Sequence, residues 1–440
     1  MLVEPQPSIA VIGSGPAGCY TAQFLRKEWP HAEICVFEAL PVPYGLLRYG
    51  VAADHQGTKA VAAQFDRLFE RENVRFAGNV TVGKNLAFEN LASNFDIVVL
   101  ATGLNSDRGL TAEVDHRSRV LGAGSILKAL NGHPEVHLPL LSNGALAPLG
   151  ERLAVVGNGN VAMDVIRILS KSIHNFQGSD VDDKRLSELR AERIRSIDVF
   201  GRSSVSSAKF DLSMLKEILH LPSVTIAVTG LREAQEGCQR YRLLSQHLDA
   251  NPGTDPGNGV LDSRIRVTFH FEADPLRVAK SSDRSLLTVR RHTQELPSEF
   301  EVDSIITAIG FANRFSEAAT GDVEHWVGKN VFRTGWLSRD GKGTVAENRR
   351  VAKAGVEAII AQFKAGDLSV DAKGFTAIEK TIEPYAVDFR GWKNIDSHEL
   401  ATANPDRCRR KITDIPRMLS IAAPGRFAQQ TTPDNIIRMI

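Results

Sequence analysis

Three glycines at the end of a short apolar run constrain this chain more than any other feature. Residues 9 to 12, Ile-Ala-Val-Ile, lead into Gly13, Gly15 and Gly18, and a helix-compatible stretch from Cys19 to Trp29 follows. The spacing G-x-G-x-x-G between strand and helix predicts a dinucleotide-binding turn. Gly13 makes the tight turn, Gly15 lets the backbone approach a pyrophosphate, and Gly18 lets the helix pack on the strand. The helix N-terminus offers free N–H groups and a partial positive charge to phosphates. Glu38 stands twenty residues after Gly18, at the end of the apolar run Ile34 to Phe37. A carboxylate there accepts hydrogen bonds from both hydroxyls of an adenosine ribose.

A second fingerprint begins at Leu153. The run Leu-Ala-Val-Val ends in Gly157, Asn158, Gly159, Asn160, Val161 and Ala162, and helix-compatible residues continue to Leu169. This is G-x-G-x-x-A, the other accepted form. Two fingerprints in one chain predict an enzyme that binds two dinucleotides, a flavin and a nicotinamide cofactor. The strand Ile197 to Phe200 ends in Gly201, Arg202, Ser203 and Ser204, where such a domain reads the 2′ position of the adenosine ribose. An acid would suit the hydroxyl of NAD; Arg202 with hydroxyls behind it suits the 2′-phosphate of NADP. A solvated arginine at a strand end is the plainer reading of Arg202.

At 440 residues the chain is too long for one ordinary core and predicts two or three domains. Hydrophobic residues at 42% and charged residues at 24% are the profile of a soluble globular protein. A net charge of +1 gives no global field for nucleic acid or membrane binding. No secretory signal and no membrane span are read, and the cytoplasm is the expected compartment. The four cysteines, Cys19, Cys35, Cys238 and Cys408, form no C-x-x-C. That spacing removes a redox-active dithiol and any tight metal or iron–sulfur motif.

The segment Leu40 to His55 carries two prolines and two glycines before Val51, too many for a regular helix, and is too apolar for a solvated loop. It reads as a loop around a flat apolar ligand. Residues 59 to 72 read as an amphipathic helix and 74 to 82 as a strand. Phe95 to Gly103 reads as a buried parallel strand ending in a small-residue turn, loosely echoed by Val302 to Gly310. Residues 180 to 195 read as an inserted surface helix, and 222 to 300 as an antiparallel excursion with a flexible loop at 252 to 258. Asn330 to Val345 reads as a strand and a glycine-rich turn before a helix at 346 to 364. Residues from Pro424 read as a tail.

At Leu40 to His55 (Leu-Pro-Val-Pro-Tyr-Gly-Leu-Leu-Arg-Tyr-Gly-Val-Ala-Ala-Asp-His) and at Val155 to Val165 the sequence resembles the adrenodoxin reductase family. These are flavin-dependent ferredoxin–NADP reductases of glutathione-reductase-like fold, bacterial NADPH–ferredoxin reductases among them. Gly335-Trp336 and Gly391-Trp392 also fit. The resemblance implies an α/β chain with two Rossmann-like three-layer domains. An FAD domain (1–106 and 326–440, with the tail at 424–440) would be interrupted by an NADP domain at 107–325. It implies FAD across Ser14, Glu38, Leu46 and Val82, with Trp336 and the turn Gly343, Thr344 and Val345 covering the isoalloxazine. It implies NADP(H) at Asn158, Gly159, Asn160 and Val161, with Arg202 and Ser203 at the 2′ position. His55 and Asp164 would sit near the reacting rings. Asp164 also reads as a simple stabiliser of its helix's first turn.

The family usually has Gly-Arg-Arg-Gly-Pro where this chain has Gly201-Arg-Ser-Ser-Val, so one phosphate-binding arginine is missing. A family glutamate falls at Met214, and Gly-Pro-Thr-Gly-Val-Ile becomes Gly341-Lys-Gly-Thr-Val-Ala. The expected function is hydride transfer from NADPH to FAD and single-electron transfer to an acidic ferredoxin-type iron–sulfur protein. A basic docking patch at Arg232, Arg240 and Arg242, and a monomeric enzyme, go with it; a solvated face is the plainer reading of those arginines. The altered motifs keep one main alternative, an NAD(P)H-dependent flavoenzyme of a specialised pathway with another acceptor. A subunit of a larger complex and a flavoprotein without enzymatic activity are further readings.

Overall fold

The computed structural model describes residues 6–104, 106–231, 237–251, 264–291, 294–312, 325–339, 341, 343 and 345–427. Two units divide the chain: residues 1–105, 178–180 and 312–440 form the first, and 106–177 with 181–311 the second.

The first unit is built on a five-stranded parallel sheet. Its order is Val331–Arg333, Ile97–Leu100, Ser8–Ile12, Glu33–Phe37, Arg75–Ala77. Strands covered on both faces read as continuous apolar runs; Ser8–Ile12 and Ile97–Leu100 are buried at every position. One face packs against the Pro16–Glu28 and Val345–Lys364 helices, and its core takes in Ile9, Val11, Leu25, Val99, Val356 and Ile359. The other face holds Ala10, Ile12, Phe37, Val82 and Phe95. At the base of the sheet the Asp96 carboxylate accepts from the Ser8 N–H at 2.7 Å and from the Asp371 and Ala372 N–H groups at 3.0 Å. One buried acid thus ties three distant segments together.

The second unit has a six-stranded parallel sheet. Its order is Val224–Thr229, Ile265–His270, Ser196–Phe200, Arg152–Val156, Ser304–Thr307, Val120–Gly122. A second sheet, Ser298–Val302, Arg284–Arg291 and Ala273–Ser281 antiparallel with Glu113–Val114 at its edge, stands beside it. Both units are therefore α/β with parallel sheets, and each contains a strand, a glycine turn and a helix in succession.

Several local readings need correction. The stretch 222 to 300 is not one antiparallel excursion: its first two strands pair in parallel within the main sheet, and only the strands from Ala273 onward are antiparallel. Leu40 to His55 is not all loop, since Gly45–Tyr49 forms a helical turn; the glycine stands at its start and the next one at its end, where neither breaks it. The helix read at 59 to 72 is Ala62–Glu70, and the strand read at 74 to 82 stops at Ala77. The charged helix at 180 to 195 is Asp183–Leu189, capped by the Asp182 carboxylate. The final thirteen residues of the tail lie outside the described residues.

Candidate functional site

The first glycine turn is shaped by steric necessity. Gly13 has φ +107°, and a Cβ there would lie 2.4 Å from the Ala101 carbonyl oxygen. A Cβ on Gly18 would lie 1.9 Å from the Gly13 oxygen, so the helix sits directly on the turn. Gly15 is different: a Cβ would meet nothing within 4 Å. Open space therefore faces the backbone at the N-cap of Pro16–Glu28, and no side chain caps that helix. A cradle of this kind fits a pyrophosphate, which supplies the missing cap.

Three segments converge on this turn. Glu38 Oε2 accepts from the Ser14 N–H at 3.1 Å and from Ser14 Oγ at 2.6 Å, while Oε1 accepts from the Leu40 N–H at 3.2 Å. Burial pushes the Glu38 carboxyl above its ordinary range, and the hydrogen bonds from Ser14, Leu40 and Ala39 pull against that rise. Tyr44 donates its N–H to both Ser14 oxygens at 3.2 Å, so the turn carrying Leu46 lies against the glycines. Gly335, at φ +70°, leaves room for Ala17: a Cβ would be 2.5 Å from that side chain. This close approach brings the Gly335-Trp336 turn to the same helix, with the Trp336 indole donating to the Gly343 oxygen at 3.0 Å. Val82 is buried with Ile12 and Phe37, the last residues of the two central strands. Val345 opens the Val345–Lys364 helix; Thr344 lies outside the described residues.

Sequence reasoning missed the support beneath the Leu40–His55 segment. Tyr44 is held at φ +82°, costly for a residue with a Cβ, and its hydroxyl donates to Asp66. Burial, then Asp66, drive its phenol far above the ordinary range. Arg48 is buried, bonded to both Glu399 oxygens at 2.6 Å and stacked 4.9 Å from the Trp392 ring centre. Burial alone would lower its pKa, but Glu399 and Tyr49 outweigh burial and hold it up. Trp392 thus has a reason in the fold: it covers the guanidinium beneath this loop. Lys59 and Lys411 share Asp180, one on each oxygen, at 2.6 and 2.7 Å. The signal for Arg48 was a charge in an otherwise apolar loop, but its partner Glu399 lies 351 residues away. His55 stands at the start of the Gln56–Lys59 turn, its N–H donating to the Ala52 oxygen at 2.9 Å.

The second glycine turn repeats the logic. Gly157 has φ +122°, a Cβ there would be 2.3 Å from the Ala308 oxygen, and one on Gly159 would again meet nothing within 4 Å. Helix Asn160–Ser170 starts at Gly159 without a side-chain cap, and Val161 lies in its first turn. The cradle fits a second pyrophosphate. Asn158 Nδ2 donates to Ser203 Oγ at 3.2 Å, bringing the turn and the loop after the Ser196–Phe200 strand together. Gly201 permits it, since a Cβ there would be 2.2 Å from Asn158 Nδ2. Arg202 is exposed and forms no ion pair among the described residues. Asn160 exchanges two bonds with Asp211, which stands at the N-cap of Leu212–Leu219 but whose carboxylate takes the Asn160 amide at 2.7 Å. Asp164 is paired with the buried Arg167 at 2.8 Å. Met214 is buried, a core position rather than a surface for an acid. Of the three candidate docking arginines, Arg240 donates to the Phe210 oxygen at 3.0 Å and stacks over that ring, Arg242 is exposed, and Arg232 lies outside the described residues.

Residues 7–184 match the pyridine nucleotide-disulphide oxidoreductase family. Cindoxin reductase of Citrobacter braakii is 39% identical across 99% of this chain and 96% of its own length. A probable ferredoxin/ferredoxin–NADP reductase of Mycobacterium tuberculosis is 31% identical across 96% of this chain and 76% of its own. The solved structure of Mycobacterium tuberculosis FprA in complex with NADPH shares the fold, with a TM-score of 0.78 at 24% identity over 95% of this chain and 99% of that one. The chain belongs to the ferredoxin–NADP reductase family of adrenodoxin reductase type, oxidoreductases that depend on FAD and NADP(H).

Proposed function

We propose that this protein moves electrons from NADPH to a ferredoxin-type iron–sulfur protein, with FAD held at the first glycine turn and NADP(H) at the second. The observation that carries the reading is the pair of cradles, open at Gly15 and Gly159 and closed by backbone at Gly13 and Gly157. FAD, when bound, supplies a carrier that accepts two electrons as hydride and releases them singly.

The chain's own residues bind and align. The backbone at Gly13, Ser14, Gly15 and Gly18 and the N-terminus of Pro16–Glu28 receive the flavin pyrophosphate. Glu38 holds the adenosine ribose; its bonds to Ser14 fix the carboxylate before ligand arrives. Leu46, Val82, Trp336, Gly343, Thr344 and Val345 shape the flavin's surroundings, and His55 lies on the segment that wraps it. At the second site Gly157, Asn158, Gly159, Asn160 and Val161 receive the nicotinamide cofactor's phosphates. Arg202 and Ser203 take the 2′-phosphate. Asp164 orders the helix through Arg167. The four free cysteines suit a cytoplasmic setting.

The test is anaerobic titration of the as-purified yellow protein with NADPH and, separately, NADH, followed by ferredoxin-dependent reduction of cytochrome c. Faster bleaching by NADPH, with turnover that requires ferredoxin, is expected. Bleaching without any ferredoxin-dependent turnover would overturn the acceptor assignment. A second reading, in which the acceptor is a cindoxin, is favoured by the 39% identity to a cindoxin reductase over nearly the whole chain. Replacing ferredoxin by cindoxin in the same assay separates the two.

A further inference from the structure

The segment from Leu40 to His55 wraps the flavin in the proposed reaction, and one residue from a distant part of the chain holds it at three points. The Asp180 N–H donates to the Ala53 oxygen at 3.1 Å. Asp180 Oδ1 accepts from Lys59 Nζ at 2.6 Å, and the Lys59 N–H donates to the His55 oxygen at 3.3 Å. Asp180 Oδ2 accepts from Lys411 Nζ at 2.7 Å, and the same ammonium donates to the Arg48 oxygen at 3.0 Å. Arg48, Ala53 and His55 are thus tied to one amide and one carboxylate. Asp180 is grouped with the first unit, although Val181 after it belongs to the second.

Charge balance alone does not call for this arrangement. One ammonium would neutralise the carboxylate, and the side chains of Lys59, Asp180 and Lys411 are only 9%, 4% and 3% exposed. A second buried cation is costly and repels the first. Burial, and after it Lys59, sets the Lys411 ammonium well below its ordinary range. What the two lysines add is geometry, since each leads to a different point of the segment. Gln56–Lys59 is a single helical turn without a side-chain cap, and a turn of that length does not hold itself. The flavin's other holds, the glycine turn, Ser14 and Glu38, close on one another without Asp180.

We propose that Asp180, through Lys59 and Lys411, is a positioning residue for hydride transfer: it sets the His55 turn for the reaction without retaining the flavin. The inference rests on the proposed reaction. Misplacing a group in such a site by about 1 Å lowers the rate on the order of a hundredfold. A lost anchor on the segment therefore shows in the rate of flavin reduction before it shows in flavin content.

Lys59→Met is the variant to use, because it keeps Asp180 paired with Lys411. Hydrogen exchange followed by mass spectrometry, on the flavin-free and the FAD-loaded protein, reads the segment directly. Amides of residues 50–60 should exchange about tenfold faster in both, with those of residues 8–37 unchanged. In stopped flow at saturating NADPH the limiting rate of flavin reduction should fall about ten- to a hundredfold, while the dissociation constants of FAD and NADPH stay within about threefold. Unchanged exchange over residues 50–60, an unchanged limiting rate, or a flavin affinity that falls as far as the rate overturns the proposal; the last marks a merely structural role. A parent protein that NADPH does not bleach overturns the proposed reaction and the inference with it. A parent that bleaches, beside a variant that bleaches as fast, overturns the inference alone. Should Lys59→Met fail to fold, Lys411→Met leaves Lys59 on Asp180 and is read in the same way.

Discussion

Glu38 and Arg202 sit at equivalent places in the two units, each just past the second strand of a glycine-turn motif, and their surroundings differ. Glu38 is locked by Ser14 and Leu40, while Arg202 stands exposed without an ionic partner among the described residues. Glu38→Gln keeps the shape but removes the charge that strengthens bonds to ribose hydroxyls. The flavin dissociation constant should rise about ten- to a hundredfold, read from flavin fluorescence on reconstituting the apoprotein. Arg202→Ala should raise the KM for NADPH by about the same factor, since one charge-assisted contact contributes roughly 1.5–3 kcal/mol. The KM for NADH should stay within about twofold, because NADH carries no 2′-phosphate. Both residues were legible in the sequence as strand-end positions, because a short loop after a strand fixes where its side chains lie. Arg48, Glu399 and Asp211 were not, because their roles depend on partners distant in sequence. Asp211 shows the difficulty: it stands at the N-cap of the Leu212–Leu219 helix, and a long-range bond to Asn160 takes its carboxylate.

At the scale of elements, both strand–turn–helix units were legible, since periodicity, glycine spacing and burial agree there. The empty space beside Gly15 separates folding from binding in a way few positions allow. Gly15→Val places its side chain where no protein atom stands within 4 Å of the Cβ, at an extended φ of −66°. The variant should therefore unfold within about 1 kcal/mol of the parent in urea yet be isolated colourless, which absorbance of the purified protein would show. Gly335→Val is the contrast: its Cβ would press on Ala17 at a φ of +70°, so stability and flavin content should fall together. The parallel strands Val224–Thr229 and Ile265–His270 were misread because an alternating pattern of buried and exposed residues looks the same in parallel and antiparallel pairing. Direction is set by the crossover helix between them, Gln239–Ala250, whose weak apolar face left little trace in the sequence.

Across the whole molecule the most consequential contact is made by a tripeptide. Gly178 to Asp180 leaves the second unit's run of sequence, joins the first unit, and rejoins the second at Val181. The Gly178 N–H donates to the Asp406 oxygen at 2.8 Å and the Asp180 N–H to the Ala53 oxygen at 3.1 Å. Asp180 then receives Lys59 and Lys411. Burial would raise the Asp180 carboxyl, but Lys411 and Lys59 outweigh it and set it below its ordinary range. The unfolded chain then binds more protons than the folded one as pH falls. Asp180's contribution is complete above about pH 4 and is lost as pH drops through its lowered native value. Lys411 is set well below its ordinary range, first by burial and then by Lys59, so stability also rises with pH on the alkaline side. Asp180→Asn should cost about 3–5 kcal/mol near neutrality, because it strands two buried ammonium groups. It should also flatten the acid limb of stability plotted against pH, measured by urea unfolding from pH 3 upward. None of this was legible from residues 178 to 180 alone, since Asp180 read as the start of a surface helix and its lysines lie far away in sequence. The excursion also bears on how such an architecture can be rearranged. An interrupted domain invites the view that the interruption is a cassette, inserted once and removable by rejoining residues 105 and 312. Here excision would carry away the counter-ion that neutralises the interior of the part left behind. Any recombination that exchanges nucleotide-binding halves between relatives must transplant Asp180 with its host's lysines, or inherit a core of mismatched charge.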